Sequence, residues 1–301
     1  MPSHFCIVED SIESELRLDR YIAEYLKILS RSQIKARNLE VQINGKSVKL
    51  SRILKPFDKI ELSWKEAEPA DLVPEDIPLD IIYEDERVIV VNKAQGMVVH
   101  PGAGNWHGTL ANALLYHKKR NTTNNLRPGI VHRLDKDTSG LIISAWDEEA
   151  HAFLASQFKN RSTKKTYAAI VRGVPKEKSG IIETLLIRNS KNRKTFTVSK
   201  ERGKSSLTHY KVVKSWGSHS LLLLRPKTGR THQLRVHLKY LGCPILGDPL
   251  YGVEDRLFPK ATLMLHAKRL SIILPGSEKS QTFRSPLPPR FHGIFAAFSG
   301  S

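Results

Sequence analysis

Apolar and polar positions change period several times along this chain, and each change marks an element. Leu18, Tyr21, Ile22, Tyr25 and Leu26 recur at helical spacing. Ser30 and Gln33 form a capping-box start for a second helix, whose exposed face carries Arg31, Lys35 and Arg37. Val41 and Ile43 alternate into Asn44-Gly45, a strong hairpin signal; Val48 begins the return, and Ile60 and Leu62 alternate in a last short strand. Residues 15–64 therefore predict a compact module of two helices and a hairpin. Residues 65–78 hold three prolines and five acids, which cannot build a packed core and predict a linker.

From 79 to 301 the pattern predicts a second, larger domain. Strands are expected over 81–83, 88–91, 141–144, 167–171 and 221–224, and helices over 109–117 and 150–158. Gly102, Gly104 and Gly108 make a glycine-rich turn ahead of the first of these helices. In 167–171, Tyr167, Ala169 and Val171 share one face. The strand at 221–224 turns through Pro226-Lys227-Thr228-Gly229 into a helix whose Leu234, Leu238 and Leu241 share a face, stopped by Gly242 and Pro244. Strands and helices in this irregular order predict an α+β fold: a mixed, largely antiparallel sheet with flanking helices.

Composition narrows the partner. The 301 residues are 40% hydrophobic, enough for one large core and a small second one. Lys and Arg number 48 against 30 Asp and Glu, a net charge of +18, which favours nucleic acid, an anionic membrane or an acidic partner. The basic residues are spread along the chain rather than gathered in a tail or one amphipathic helix, so nucleic acid leads over membrane. No apolar run reaches membrane-spanning length, and residues 1–15 alternate and carry acids, unlike a secretory leader. Cys6 and Cys243 are the two cysteines, with no CxxC pattern, which disfavours structural zinc, redox chemistry and a disulfide framework and points to the cytosol.

Three segments carry candidate chemistry. In Val-His-Arg-Leu-Asp-Lys-Asp-Thr-Ser-Gly-Leu-Ile-Ile, residues 131–143, Asp135 stands between Arg133 and Lys136, ahead of a turn and an apolar run. It can be read as a turn cap, a nucleophile or a calcium ligand. Asp135, Asp137, Ser139 and Gly140 match the start of an EF-hand loop, but the position that needs Glu holds Trp146, so calcium is disfavoured. In the second segment, 225–237, Lys227, Arg230 and Arg235 crowd a turn and a helix start, a good phosphate or carboxylate site without Walker glycine spacing. His232 and His237 are five apart and share no face, so they are expected to pack or hydrogen-bond rather than hold zinc. The third is Lys164-Lys165-Thr166-Tyr167, a strand edge facing phosphate or a core tyrosine.

Together these segments resemble the RluA/RluD family of RNA pseudouridine synthases. His132-Arg133-Leu134-Asp135 with Lys-Asp-Thr-Ser-Gly is similar to the family's signature around its catalytic aspartate. Lys165-Thr-Tyr167-Ala-Ala-Ile-Val-Arg-Gly173 looks like the second motif; Gly229-Arg-Thr-His-Gln-Leu-Arg235-Val-His and Gly242-Cys-Pro-Ile-Leu-Gly-Asp248-Pro-Leu-Tyr-Gly252 look like the third. Leu263-Met-Leu265-His266-Ala and the segments 97–102 and 108–114 resemble further family motifs, while Ala94 departs from a proline that many members carry. The resemblance implies catalytic Asp135, Tyr167 and Arg235, with Arg235 pairing with Asp135 and keeping it ionised. It implies Arg133, Arg230, Leu265, His132 and Lys165 at the substrate. Residues 15–62 separately resemble the ribosomal-protein S-four-type (αL) RNA-binding module, with Arg31, Lys35 and Arg37 on RNA.

The implied protein is a monomer that isomerises uridine in RNA, without cofactor or metal. Large-subunit ribosomal RNA is the leading substrate, from resemblance to the RluD branch, and tRNA or another structural RNA the alternative. Breaking a glycosidic carbon–nitrogen bond and rejoining the base through carbon requires a carboxylate near an electron-poor carbon, which fits Asp135. Two rivals stay open: a catalytically silent RNA-binding protein, and a hydrolase using Asp135 with Asp248 as second carboxylate, although Asp248 reads more readily as a turn residue.

Overall fold

The computed structural model describes every residue except 1, 12–14, 30–33, 35–38, 65–71, 103–104, 122–127 and 300–301. The chain divides into two units, Met1–Asp71 and Leu72–Ser301.

In the first unit, β1 (Ser3–Ile7), β2 (Glu40–Ile43), β3 (Lys46–Ser47) and β4 (Lys59–Ser63) form an antiparallel sheet in the order β1-β4-β2-β3. A short helix, α1 (Leu18–Arg20), runs into a π-helical turn, Tyr21–Tyr25. Leu18, Ile22, Val41, Ile43, Ile60 and Leu62 meet in its core, as their spacing requires. Asn44 and Gly45 both take positive φ, 53° and 73°, the geometry of a two-residue hairpin turn whose twist matches the strands. The second helix expected in this unit, with Arg31, Lys35 and Arg37, falls on residues outside those described. This unit begins well before residue 15, because β1 pairs with β4 from Ser3 to Ile7. The sequence hides this strand: Phe5 and Ile7 point outward and His4 and Cys6 inward, so its alternation runs against the usual hydrophobic rule.

The second unit contains β5 (Ile81–Glu84), β6 (Val88–Lys93), α2 (Leu110–Asn121), β7 (Gly129–Ile130), β8 (Ser139–Ala145), α3 (Glu148–Lys159), β9 (Lys164–Arg172) and β10 (Ser179–Arg188). There follow β11 (Phe196–Ser199), β12 (Lys204–Trp216), β13 (His219–Pro226), α4 (Gln233–Tyr240), β14 (Leu265–Ile273), β15 (Ser280–Arg284) and α5 (Pro289–Ser299). The strands form one sheet in the order β11-β10-β12-β13-β9-β14-β8-β6-β5, with β15 beside β14 and β7 beside β8. All pairings are antiparallel except β14 with β8. This is the mixed, largely antiparallel α+β architecture that the sequence predicts.

Strand β8 is buried along its whole length because both its faces are covered. Leu141 and Ile143 pack with Ala150 and Leu154 of α3, and Ile142 packs with Leu110 and Leu114 of α2. Asp147 starts α3 by accepting the Ala150 amide at 2.7 Å. Residues 72–78, expected as part of a linker, are fastened to the start of α2. The Val73 carbonyl accepts from the Asn112 side chain at 2.7 Å, and Glu75 accepts the Gly108 amide at 2.8 Å. Their composition bars a core of their own, yet leaves acceptors that donors on this unit can satisfy.

The parallel junction fixes the level of the site. Tyr167 on β9 lies opposite Leu224 on β13 and Ala267 on β14, and Ala267 lies opposite Gly140 on β8. The sheet register thus carries Tyr167 to within two strands of the chain that leaves the Asp135 turn. Gly140 has φ +117°, and a Cβ there would meet the Ala267 backbone nitrogen at 2.5 Å and its carbonyl oxygen as well.

Helix α4 is tied to the sheet by a buried polar chain. The His237 ring accepts or donates at both nitrogens: Nε2 lies 3.0 Å from the hydroxyls of Thr184 and Ser206, and Nδ1 3.0 Å from that of Thr208. Gln233 donates to Thr208 Oγ1 at 3.0 Å and accepts from Thr228 Oγ1 and the Arg230 amide. Burial pushes the His237 imidazole down to about 4. His266, beside Ser139 at 2.9 Å, is likewise fully buried, and burial together with Arg290 and Lys268 lowers it to about 4.

Gly140→Ala is expected to destabilise the fold by ~3 kcal/mol or more, from close overlap and an unfavourable φ, seen as a lower denaturant midpoint. His237 and His266 give a second expectation. Both have folded values below their unfolded value of ~6.5, so the unfolded chain takes up protons first as pH falls. Their contribution to stability is intact above about pH 6.5 and is lost as pH falls towards about 4, by up to about 1.4 kcal/mol per pH unit for each ring. Urea unfolding across that range measures the slope, and His237→Gln should make it shallower.

Candidate active site

A cavity of about 450 Å³ opens where the turn before β8, strand β9, the start of α4 and the start of β14 converge. Its volume falls in the usual range for small-ligand sites. Asp135, Tyr167, Arg235 and Leu265 all line it, as do His132, Arg133, Lys165 and Arg230. Residues spread over 134 positions of sequence, from 132 to 265, are therefore brought to one place. Lys159, Arg161 and Lys227 add further positive charge to the wall.

The turn that holds Asp135 is fastened from beneath. Thr138 donates its amide to the Asp135 carbonyl at 3.1 Å, closing the turn. Lys93, almost fully buried, donates to the Lys136 carbonyl at 3.1 Å and to the carbonyls of Ala94 and Met97 at 2.8 Å. Gln95 donates to the carbonyls of Asp137 and Leu263. Burial pushes the Lys93 ammonium down to about 7, against the pull of Asp137 and Asp135. The fourth fastening is His132, whose Nε2 accepts the Ile143 amide of β8 at 3.1 Å while its ring stacks on Phe158 at 4.5 Å. Burial, with Lys165 nearby, lowers this imidazole to about 3. His132 thus anchors the Asp135 turn through the backbone of β8 while it also lines the cavity.

Arg235 was expected to pair with Asp135. Its Nη1 does stand 3.5 Å from Asp135 Oδ2, but its strongest partner is Asp248. Nε and Nη2 donate to the two oxygens of Asp248 at 2.8 and 2.6 Å, a bidentate fork inside the protein. Asp248 Oδ1 also accepts the amides of Leu250 and Tyr251. Burial works against the Arg235 charge, but the hydrogen bonds and charge of Asp248 outweigh it and hold the guanidinium above its ordinary value. Sequence reading correctly saw a turn at Asp248 and missed this second duty. Nothing in the spacing announces it, because the loop after α4 must fold back before the two residues meet.

His232 is the other unexpected resident. It precedes α4 in the left-handed region, φ +55°, and lines the cavity. Its Nε2 is 4.0 Å from Asp135 Oδ2, and its Nδ1 is 2.8 Å from the Tyr251 hydroxyl. Burial lowers its value, with Asp135 and Asp248 opposing and Arg235 and Arg133 assisting. Tyr167 titrates in the opposite sense. Burial, reinforced by Asp135, raises its phenol, so it stays protonated.

The remaining expected residues take distinct places. Leu265 is buried at the cavity wall, and its carbonyl accepts from Arg290 of α5 at 3.2 Å. Lys165 sits over the Phe158 ring at 5.4 Å. Arg230 donates from Nε to the Ser205 carbonyl at 3.2 Å, while Arg133 is exposed. Trp146, at the position a calcium loop would need for its carboxylate, is core. Among the described residues no group of three or more His, Cys, Asp or Glu side chains could hold a metal ion, and no helix is long and apolar enough to cross a membrane.

Comparisons with known proteins bear on the family. The sequence model of the family described as RNA pseudouridylate synthase matches residues 87–240. The chain is 48% identical over 290 residues to "Ribosomal large subunit pseudouridine synthase D" of Borreliella burgdorferi, covering 93% of this chain and 88% of that one. The protein of the same name from Zymomonas mobilis is 41% identical, covering 93% and 92%. The solved structure of human RNA pseudouridylate synthase domain containing 4 superposes with a TM-score of 0.61 at 27% identity, covering 73% of this chain and 92% of that one. An identity of this level over nearly the whole chain, joined to the cavity around Asp135, makes this chain a member of the RNA pseudouridylate synthase family, enzymes that isomerise uridine to pseudouridine in RNA.

Proposed function

We propose that the cavity around Asp135 is where the isomerisation occurs, that Asp135 is the reacting carboxylate, and that the substrate is large-subunit ribosomal RNA. The observation that carries the first two parts is the meeting of Asp135, Tyr167, Arg235 and Leu265 in one cavity. The names of the relatives from Borreliella burgdorferi and Zymomonas mobilis support the third.

The uridine must leave its helix to reach this cavity, at an expense of a few kcal/mol. Positive side chains along the wall offset that by meeting the flanking phosphates, Arg133, Lys165 and Arg230 among them. When the bond from ribose to base nitrogen breaks, its electron pair stays with the uracil. The sugar carbon becomes electron-poor, and the Asp135 carboxylate stabilises it. The uracil then turns and its carbon five bonds to the sugar; the proton lost from that carbon is matched by one gained at the freed nitrogen. Mass is unchanged, and no water, metal or redox partner enters the balance.

Tyr167, with its phenol held protonated, enters as a ring to pack against the base and an O–H to donate. Arg235 stands behind Asp135, and Asp248 behind Arg235. With four acceptor duties already filled, Asp248 is a poor second catalytic carboxylate, which weighs against the hydrolase alternative. The first unit is proposed as an S-four-type RNA-binding module, on the strength of its motif resemblance over residues 15–62 and its basic surplus of eleven Lys and Arg over six Asp and Glu in residues 15–64.

Asp135→Asn is expected to abolish pseudouridine formation on ribosomal RNA while leaving RNA binding within about threefold. Full activity in that variant would remove Asp135 from the mechanism, and free uracil among the products would indicate hydrolysis. Mapping pseudouridines in ribosomal RNA from cells with and without the gene tests the substrate. Asp248→Asn should destabilise the protein by about 3–5 kcal/mol by stranding Arg235, and slow the reaction on the order of 100-fold through misplacement, read by unfolding and single-turnover kinetics.

A further inference from the structure

We propose that His232 is a positioning residue for the reaction: a neutral imidazole held in the Nε2–H tautomer by Tyr251, which directs that N–H at one oxygen of Asp135. This rests on the reading of Asp135 as the reacting carboxylate.

The tautomer follows from counting hydrogens around Tyr251. This phenol is buried, and its oxygen accepts the Phe196 amide at 2.8 Å. Its single hydrogen needs an acceptor, and among the described residues the available one is His232 Nδ1, 2.8 Å away. If Nδ1 carried the proton instead, the phenol hydrogen would be buried without a partner, which is unfavourable. His232 therefore accepts at Nδ1 and bears its proton on Nε2, the nitrogen that faces Asp135.

Geometry gives this donor a purpose. Both described approaches to the Asp135 carboxylate fall on Oδ2: Arg235 Nη1 at 3.5 Å and His232 Nε2 at 4.0 Å. The two groups stand on the same side of the carboxylate, where they bias its orientation in the cavity. A neutral donor does this without adding a second positive charge, which would weaken the carboxylate as a partner for an electron-poor carbon.

The backbone supplies an independent sign. His232 sits at φ +55° and ψ 17°, where glycine or asparagine is easier and other residues are strained. Its ring is held edge-on to Phe196 and Tyr251, with centroids 5.8 and 5.5 Å away, so the surrounding structure enforces the strained placement. Strain kept by packing beside a reacting group is the pattern of pre-organisation.

The test compares wild type with His232→Gly, His232→Gln and Tyr251→Phe on a ribosomal RNA transcript. Glycine removes the donor and suits the left-handed backbone; glutamine can return an N–H to the same region. His232→Gly should lower the single-turnover rate by about tenfold to a hundredfold with RNA affinity within about threefold, and His232→Gln should recover much of it. Nitrogen NMR of histidine-labelled protein should report Nε2–H for His232 in wild type and a mixture in Tyr251→Phe. A His232→Gly rate within twofold of wild type, a loss confined to RNA affinity, a glutamine variant no better than glycine, or an Nδ1–H wild-type ring would each overturn the inference. If the glycine variant fails to fold, the glutamine rate and the wild-type tautomer decide. Asp135→Asn serves as the separating control: if it stays active, the reading of Asp135 fails too, and if it is inactive while His232→Gly is not, the His232 inference alone fails.

Discussion

A buried guanidinium is the constraint on which the larger unit is organised. Arg235 lies inside the protein, where an unpaired charge would be prohibitive, so the chain beyond α4 must return with a carboxylate. Asp248 meets that demand with both oxygens and closes its own turn with Oδ1. Once the pair is made, α4 can neither rotate nor slide, and the third arm of the guanidinium is left facing Asp135. The neutral His237 chain on the far side of the helix holds the same orientation from the sheet. One ionic contact and one uncharged network thus grip α4 from two directions.

The sheet does the corresponding work for the other half of the site. Its register aligns Leu224, Tyr167, Ala267 and Gly140 across four strands, and the parallel meeting of β14 with β8 brings Leu265 to the Asp135 turn. Lys93 and Gln95 then support that turn by donating to its carbonyls rather than to its side chains. The carboxylate is left with its reach into the cavity, and the cations that would attract phosphate stand around it on the wall.

Much of this was legible in the chain, for identifiable reasons. Local signals were reliable: Asn44-Gly45 made its hairpin, and Leu141-Ile142-Ile143 became a strand buried on both faces. Strand β1 was not legible because its larger apolar residues face outward. The long strands β10 and β12 carry Thr184, Ser206 and Thr208 at buried positions, where hydroxyls serve the His237 network, so their inward faces do not read as hydrophobic. At the site, the motifs named Asp135, Tyr167, Arg235, Leu265 and His132, which line one cavity, but they gave no sign of the backbone bond made by His132 or of the Asp248 fork on Arg235. Both omissions concern second partners. A residue's type advertises one interaction, whereas its remaining hydrogen-bonding capacity is decided by segments that arrive from elsewhere.

The place of β14 has a consequence for how the protein comes into being. This strand, Leu265–Ile273, is inserted between β9 and β8, which do not pair with each other. On a ribosome the chain emerges from its N-terminus, so the segments carrying Asp135 and Tyr167 are made long before the strand that joins them. Until β14 has been synthesised, β9 and β8 lack the strand that joins them in the sheet. The order of synthesis thus places the joining of the Asp135 and Tyr167 segments after both have been made.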